Sequence, residues 1–251
     1  MKKSIIYIFA AGVVMLSACE KNTFRTTDRS FEEGKAQIKL GLFNAPLAAT
    51  SVLAYLNGVR VSSSLLLPYP FPGGGFNTGG SSNGDYLAVN AGANKLQLFT
   101  TNPGTANIVK EFMTADLTFE ANKKYTVYTT DTAENAVAII APDNALAPDS
   151  GYSRIRFIHL MPNVPAVDFY KGTTLLKSNV QYKQFTDFFD IAFGSDSFSV
   201  RVAGTAPGSA LSALAYRVIA PTNRRIYSFL SRGYQGATLL RAPNVSAIVN
   251  Q

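Results

Sequence analysis

A single histidine and a nearby carboxylate, His159 and Asp168, are the residues in this 251-residue chain whose types and spacing most readily suggest acid–base chemistry. A carboxylate can orient an imidazole and raise its pKa, the arrangement a general base needs. Strand alternation, however, puts His159 on the same face as Ile155 and Phe157, which is the face a sheet turns to its core. No nucleophile or second base lies close by in sequence, so His159, Pro162, Pro165 and Asp168 read as a structural motif of strand, Pro turn and strand. A second pattern, Gly80-Ser-Ser82-Asn-Gly84, matches G-x-S-x-G, which presents a nucleophilic serine on a strand-to-helix turn. Here it sits in a Gly-rich stretch and is followed by a strand at Tyr86, so no hydrolase is expected. One His and one Cys exclude zinc clusters and a disulfide framework. Asp143, Asn144 and Asp149 lack the dense oxygen-ligand spacing of a calcium loop. No catalytic residue, metal or cofactor is expected, and the chain reads as not an enzyme.

The lone cysteine has a different chemistry. Lys2 and Lys3 precede an apolar run from Ile5 to Leu16, twelve residues long and too short to span a bilayer comfortably. The run ends Leu16-Ser17-Ala18-Cys19, which resembles the lipobox of bacterial lipoproteins, where the signal peptide is cut before a lipidated Cys. Two or more acyl chains, such as a diacylglycerol and a palmitate, at roughly 0.8 kcal/mol per buried methylene, make a stable anchor. Residues 1–18 are therefore read as signal peptide, and 19–34 as lipidated Cys19 with a polar tether. Glu20 rather than Asp follows the Cys, which favours the outer membrane; the sequence leaves open whether the protein faces the surface or the periplasm.

The rest of the chain must supply the scaffold. Hydrophobic residues make up 47% and charged residues 16%, with 12 Pro, 19 Gly and no Trp, a composition that favours short strands and turns. Self-comparison shows an offset of roughly a hundred residues. Ala36-Gln-Ile-Lys-Leu-Gly-Leu42 aligns with Ser153-Arg-Ile-Arg-Phe-Ile-His159, and Tyr86-Leu-Ala-Val with Phe188-Phe-Asp-Ile. Asn122-Lys-Lys-Tyr-Thr-Val-Tyr128 aligns with Asn223-Arg-Arg-Ile-Tyr-Ser-Phe229. About seven strand candidates per copy predict two tandem antiparallel β-sandwiches, at 35–141 and 152–251, joined by a linker at 142–151. A single larger sandwich with a shared core is the alternative.

The second copy carries Ile155-Arg-Phe-Ile-His159-Leu-Met-Pro162-Asn-Val-Pro165-Ala-Val167-Asp168-Phe-Tyr170, then Leu176 to Val180, Tyr182, Gly194 and Phe198-Ser-Val-Arg201. These stretches resemble the domain of unknown function 4397 family, whose members are exported and often lipid-anchored. The resemblance implies Ig-like sandwiches and leaves activity open. The first copy departs from it: Phe43 or Asn44 falls where His159 would, and Leu53 replaces Asp168.

Two surfaces are candidates for contact. The stretch from Leu65 to Phe76 reads as a long aromatic loop with no counterpart in the second copy, in which Tyr69, Phe71 and Phe76 are possible ligand contacts. The charge of +7 is unevenly spread. Residues 35–141 hold seven basic and six acidic side chains, whereas residues 152–251 hold eleven and four. Arg224 and Arg225, with Arg154, Arg156, Arg201, Arg217, Arg232 and Arg241, are candidates for a basic face toward anionic lipid or glycan. Nucleic acid is not expected, since no reader motif is present. The sequence thus describes a non-catalytic, lipid-anchored envelope protein, a structural or adhesion-type interaction module contacting an anionic glycan or another envelope protein. The alternative is a polysaccharide-binding accessory lipoprotein.

Overall fold

The computed structural model describes residues 34–43, 51–67, 69–72, 85–102, 105–132, 135–206 and 213–251. Cys19, Phe76 and Ser82 lie outside them. The chain is all-β, and both copies belong to one compact unit.

In the first copy, β1 (Lys35–Leu42) runs parallel to β9 (Lys124–Thr130), which pairs antiparallel with β10 (Val137–Pro142). The other edge of β1 is shared by β6 (Leu87–Asn90) and β5 (Tyr69–Phe71). A second sheet runs in the order β3 (Val59–Arg60), β2 (Ser51–Leu56), β7 (Gly92–Thr101), β8 (Ile108–Phe119), with β4 (Leu65–Leu66) also on β2. The second copy repeats the plan. Here β11 (Tyr152–His159) runs parallel to β17 (Ile226–Arg232), flanked by β18 (Asn244–Val249) and β14 (Phe189–Ala192). Its other sheet is ordered β13 (Thr174–Gln181), β12 (Ala166–Lys171), β15 (Asp196–Val202), β16 (Ala215–Ile219).

Register refines the repeat. Ile38 lies opposite Tyr125, and Ile155 opposite Tyr227. Tyr125 therefore corresponds to Tyr227, and the sequence alignment of the basic turns is out by one residue. The Tyr125 hydroxyl accepts the Glu120 N–H at 3.2 Å and the Tyr227 hydroxyl accepts the Thr222 N–H at 3.0 Å, each five residues upstream. Both are tyrosine corners of the kind that tie down immunoglobulin-like sandwiches. The turn residue left of register is Asn122 in one copy and Arg224 in the other, with φ of 61° and 62°. Asparagine advertises a left-handed turn and arginine does not, so matching the Asn residues misplaced the second copy.

Each copy has its own core. Ala36, Ile38, Leu40 and Leu42 point from β1 into the first, with Val52, Leu96, Leu98 and Val127. Ile155 and Phe157 point from β11 into the second, where Phe157, Phe169, Phe198 and Phe229 stack or tilt against one another. A third cluster belongs to both copies: Phe43, Tyr128 and Ala141 meet Ile158, Leu160, Leu230 and Ile248. It explains why β1, β9, β11 and β17 are buried on both faces although polar and charged side chains alternate with apolar ones along them. Burying each large side chain there contributes about 2 kcal/mol. The sheets containing β1 and β11 are therefore the inner pair of four layers.

Packing in this seam is uneven by design of size. Gly41 occupies the position equivalent to Ile158, and Tyr128 the position equivalent to Leu230. A Cβ on Gly41 would come 2.8 Å from the Tyr128 ring. Gly41→Ala is expected to lower stability by about 1–3 kcal/mol through overpacking. Adding Tyr128→Leu should recover part of that loss, as read by denaturant unfolding.

Candidate functional site

His159 sits at the end of β11 with no exposed surface. Its Nε2 lies 2.8 Å from the Val164 carbonyl, which can only accept, so Nε2 carries the proton. Nδ1 then accepts from the Ser231 hydroxyl at 2.9 Å. The ring thus closes the Pro162–Pro165 turn onto β11 and ties both to β17. Burial pushes its pKa down from 6.5 to about 4, opposed by the Val164 bond, so the ring is neutral. Asp168, 6% exposed on β12, accepts the Asn179 N–H at 2.7 Å and the Gly204 N–H at 3.0 Å. It pins two backbone segments at the start of β12, one of them the bulged β13. The two side chains thus have separate sets of partners. In the first copy, strand register puts Leu42, not Phe43 or Asn44, in the place of His159, while Leu53 does stand at the Asp168 position. Both leucines are buried.

The richest polar cluster lies in the seam between copies, and sequence reading missed it. Lys39 and Arg156 hold equivalent positions on β1 and β11, and both are fully buried. Each reaches across: Lys39 Nζ donates to the Val249 carbonyl at 2.6 Å, and Arg156 donates to the Pro142 carbonyl at 2.7 Å. Val249 and Pro142 are themselves equivalent. Lys39 lies 4.9 Å from the Tyr86 ring centre, and the Arg156 guanidinium 4.9 Å from that of Phe188, the matching residue. The cluster is therefore arranged about an approximate two-fold axis.

One element breaks the symmetry. The position after each last strand is Asp143 in the first copy and Asn250 in the second. Asp143, 4% exposed, forms the ion pair with Arg156 and accepts from Thr126 at 2.5 Å and Tyr86 at 2.8 Å. Asn250 instead accepts from Ser228 at 2.8 Å. Burial pushes the Tyr86 hydroxyl well up, so it stays a donor to Asp143. Burial pulls Lys39 down to about 8, with Asp143 and Asp85 opposing. Asp143 belongs to the segment read as linker, where Asn144 also accepts the Lys124 N–H at 2.9 Å. A Pro-Asp-Asn sequence signals a turn as readily as an ion-pair partner, which is why this role was illegible.

The surface candidates are dispersed. Tyr69–Phe71 is strand β5 rather than a loop: Tyr69 pairs with Leu42 and Phe71 with Leu40, and Phe71 packs on the first core. It does have a counterpart, since Phe185 bridges Ile158 along the equivalent edge of β11. Arg224 and Arg225 are exposed in the turn before β17. Arg154 is paired with Asp190 at 2.7 and 2.9 Å, and Arg156 is internal. The eight arginines do not form one continuous basic face, because strand alternation sends them to different layers.

Comparison with known proteins is consistent in family and distant in structure. A family described as Domain of unknown function (DUF4397) matches residues 39–170 and 153–245, the first match running on into β11 and β12. No curated protein matches the chain. Among solved structures, a leucine-rich repeat protein from Bacteroides thetaiotaomicron is 16% identical, with a TM-score of 0.21, covering 78% of this chain and 25% of its own. A streptococcal virulence factor described by its alpha-glucan binding is 10% identical (TM-score 0.25, 80% of this chain and 93% of that one). A protein described as a candidate cell adhesion protein from Parabacteroides distasonis is 11% identical (TM-score 0.23, 86% and 97%). The chain spans a quarter of the length of the first of these.

Asp143→Ala should cost about 3–5 kcal/mol, because it strands the Arg156 charge inside the protein, whereas Asp143→Leu with Arg156→Met should be far milder. Denaturant unfolding of the three proteins distinguishes them. For His159, the unfolded chain takes up its proton near the ordinary 6.5 and the folded chain only near 4. Its contribution is complete above about pH 6.5 and is lost as the pH falls toward 4, by about 3 kcal/mol in total. His159→Gln should therefore show a smaller drop in unfolding free energy between about pH 7 and pH 4 than the parent protein.

Proposed function

The chain belongs to the DUF4397 family, and from that premise we propose that it is a non-catalytic interaction module held at the bacterial cell envelope by lipid on Cys19. The observation that carries this reading is the employment of its acid–base candidates. His159 is buried, neutral and committed to Val164 and Ser231, and Asp168 is committed to two backbone amides. Groups buried and bound in this way hold strands and turns in place and are not presented to a substrate.

What remains for contact is the outside of the two sandwiches: turns such as that of Arg224 and Arg225, and open sheet edges. The mechanism is then anchoring at Cys19, spacing by residues 20–34, and adhesion-type contact through the sandwiches. The signal and lipobox pattern from Lys2 to Cys19 supports export and acylation, and Glu20 supports the outer membrane as destination.

Cells grown with an alkyne-tagged palmitate should label the parent protein and sediment it with outer membranes, and Cys19→Ala should do neither. An unlabelled, soluble parent protein would sink the anchor. Any phenotype of deleting the gene should be restored by His159→Gln and not by Cys19→Ala. Failure of a folded His159→Gln protein to restore it would overturn the non-catalytic reading.

A further inference from the structure

The outer sheets of the two copies share a backbone plan and differ in what they show to solvent. In the first copy the core takes Val52, Ala54 and Leu56 of β2, Leu96 and Leu98 of β7, and Met113 and Leu117 of β8. Alternation therefore sends Tyr55, Gln97, Phe99 and Thr114 to the outward face. Register sets Tyr55 beside Arg60 of β3 on one side and Gln97 on the other, with Thr114 next in the same row. The half-buried rings of Tyr55 and Phe99 meet with centres 5.0 Å apart and planes at 70°, so that they form a two-sided apolar corner. Polar side chains around it are held in place by their neighbours. Exposed Glu111, opposite Phe99, accepts from the Gln97 amide at 3.1 Å and from the Thr114 hydroxyl. Arg60 is exposed, and its Nε donates to the Ser62 carbonyl at 2.8 Å.

Strand pairing does not require this set of residues. Register makes Tyr170 the equivalent of Tyr55, and there the same row reads Leu175, Tyr170, Ser199, Tyr216, with Val218 at the Asp116 position. Leu175, Tyr216 and Val218 are exposed, so the same frame folds with apolar side chains where the first copy has Arg60, Thr114 and Asp116. Charge on the first copy's face balances, since Lys95 stands opposite Asp116, and Arg60 and Glu111 lie on either side of the rings. An apolar corner framed by an amide, a carboxylate and a guanidinium is complementary to a sugar ring, whose C–H faces are apolar and whose rim is hydroxyl groups that both donate and accept. A protein-binding patch concentrates aromatic rings too, but is depleted of Lys, Glu and Asp.

We infer that the outward face of the first copy's outer sheet is a binding site for a neutral polysaccharide, with a sugar ring seated in the Tyr55–Phe99 corner and its hydroxyls bonded by Arg60, Gln97 and Glu111. Because these polar ends are already fixed by Ser62, Thr114 and one another, little side-chain freedom is lost on binding. The balanced charge of the face favours a neutral polymer over an acidic one. This inference deepens the interaction-module reading and rests on it, but it does not depend on lipid at Cys19.

The test is biolayer interferometry on the full chain, immobilised in a polyoxyethylene detergent that carries no sugar, against glycogen, laminarin, galactomannan and the acidic polymer polygalacturonate. At least one neutral polymer should bind saturably, and polygalacturonate should bind more weakly than it. Tyr55→Ala should weaken the neutral polymer at least tenfold. Arg60→Leu with Gln97→Ser, the residues that the second copy carries at these places, should do the same, and this pair decides the matter if Tyr55→Ala does not fold. Tyr216→Ala, on the matching face of the second copy, should leave binding intact. Binding of no neutral polymer, or tighter binding of polygalacturonate, overturns the inference. Neutral binding unchanged in the Arg60→Leu, Gln97→Ser protein also overturns it, while leaving the interaction-module reading in place. New reducing ends released from a bound polymer would instead overturn the non-catalytic reading, and loss of both binding and release in the double variant would still uphold the site.

Discussion

The positive charge of Arg156, buried between two sheets, is the constraint around which both copies are arranged. A guanidinium taken out of water must be met by an anion and by acceptors for its remaining donors. Asp143 supplies the anion, and Pro142 and Ser228 supply oxygens, so residues from both copies and from the segment between them complete one shell. Apolar contacts around it supply most of the attraction, but they are tolerant of sliding. The ion pair is not, and it selects one register of sheet on sheet.

The approximate two-fold arrangement shows how duplicated sequence has been adapted. Lys39 repeats the reach of Arg156, and Tyr86 repeats the ring of Phe188. Perfect repetition would place two carboxylates or two amides at the centre. With Asp143 on one side and Asn250 on the other, the charge is directed to one guanidinium. The exchange of sizes between Gly41 with Tyr128 and Ile158 with Leu230 acts the same way, since each small residue leaves room for a large one. Among the described residues of the first copy, the positions of His159 and Asp168 are taken by Leu42 and Leu53, which are buried apolar side chains.

Much of this was legible in the chain. Short β-branched and aromatic runs between Gly and Pro turns announced sandwiches, and the repeat showed that there are two. The core face of β11 was readable from alternation alone, which correctly turned His159 inward. Other features were hidden because their signals are shared by different structures. Tyr69–Phe71, flanked by prolines, has the composition of a loop, yet it pairs with β1 because that edge is open beside β6. Arg224 adopts a turn conformation usually marked by Asn or Gly, so the repeat was aligned one residue out.

By itself the sequence determined what depends on composition and on period: the all-β class, the duplication, and which strand faces are apolar. Tertiary structure alone decided what depends on neighbours distant along the chain. It joined Arg156 to Asp143 and Lys39 to Val249, gave His159 and Asp168 separate sets of partners, and distributed the arginines over different strands and turns. The reason is physical. A strand's alternation tells a side chain which way to point, but the cost of burying a charge, and the group that relieves it, are set by whatever the opposite sheet presents.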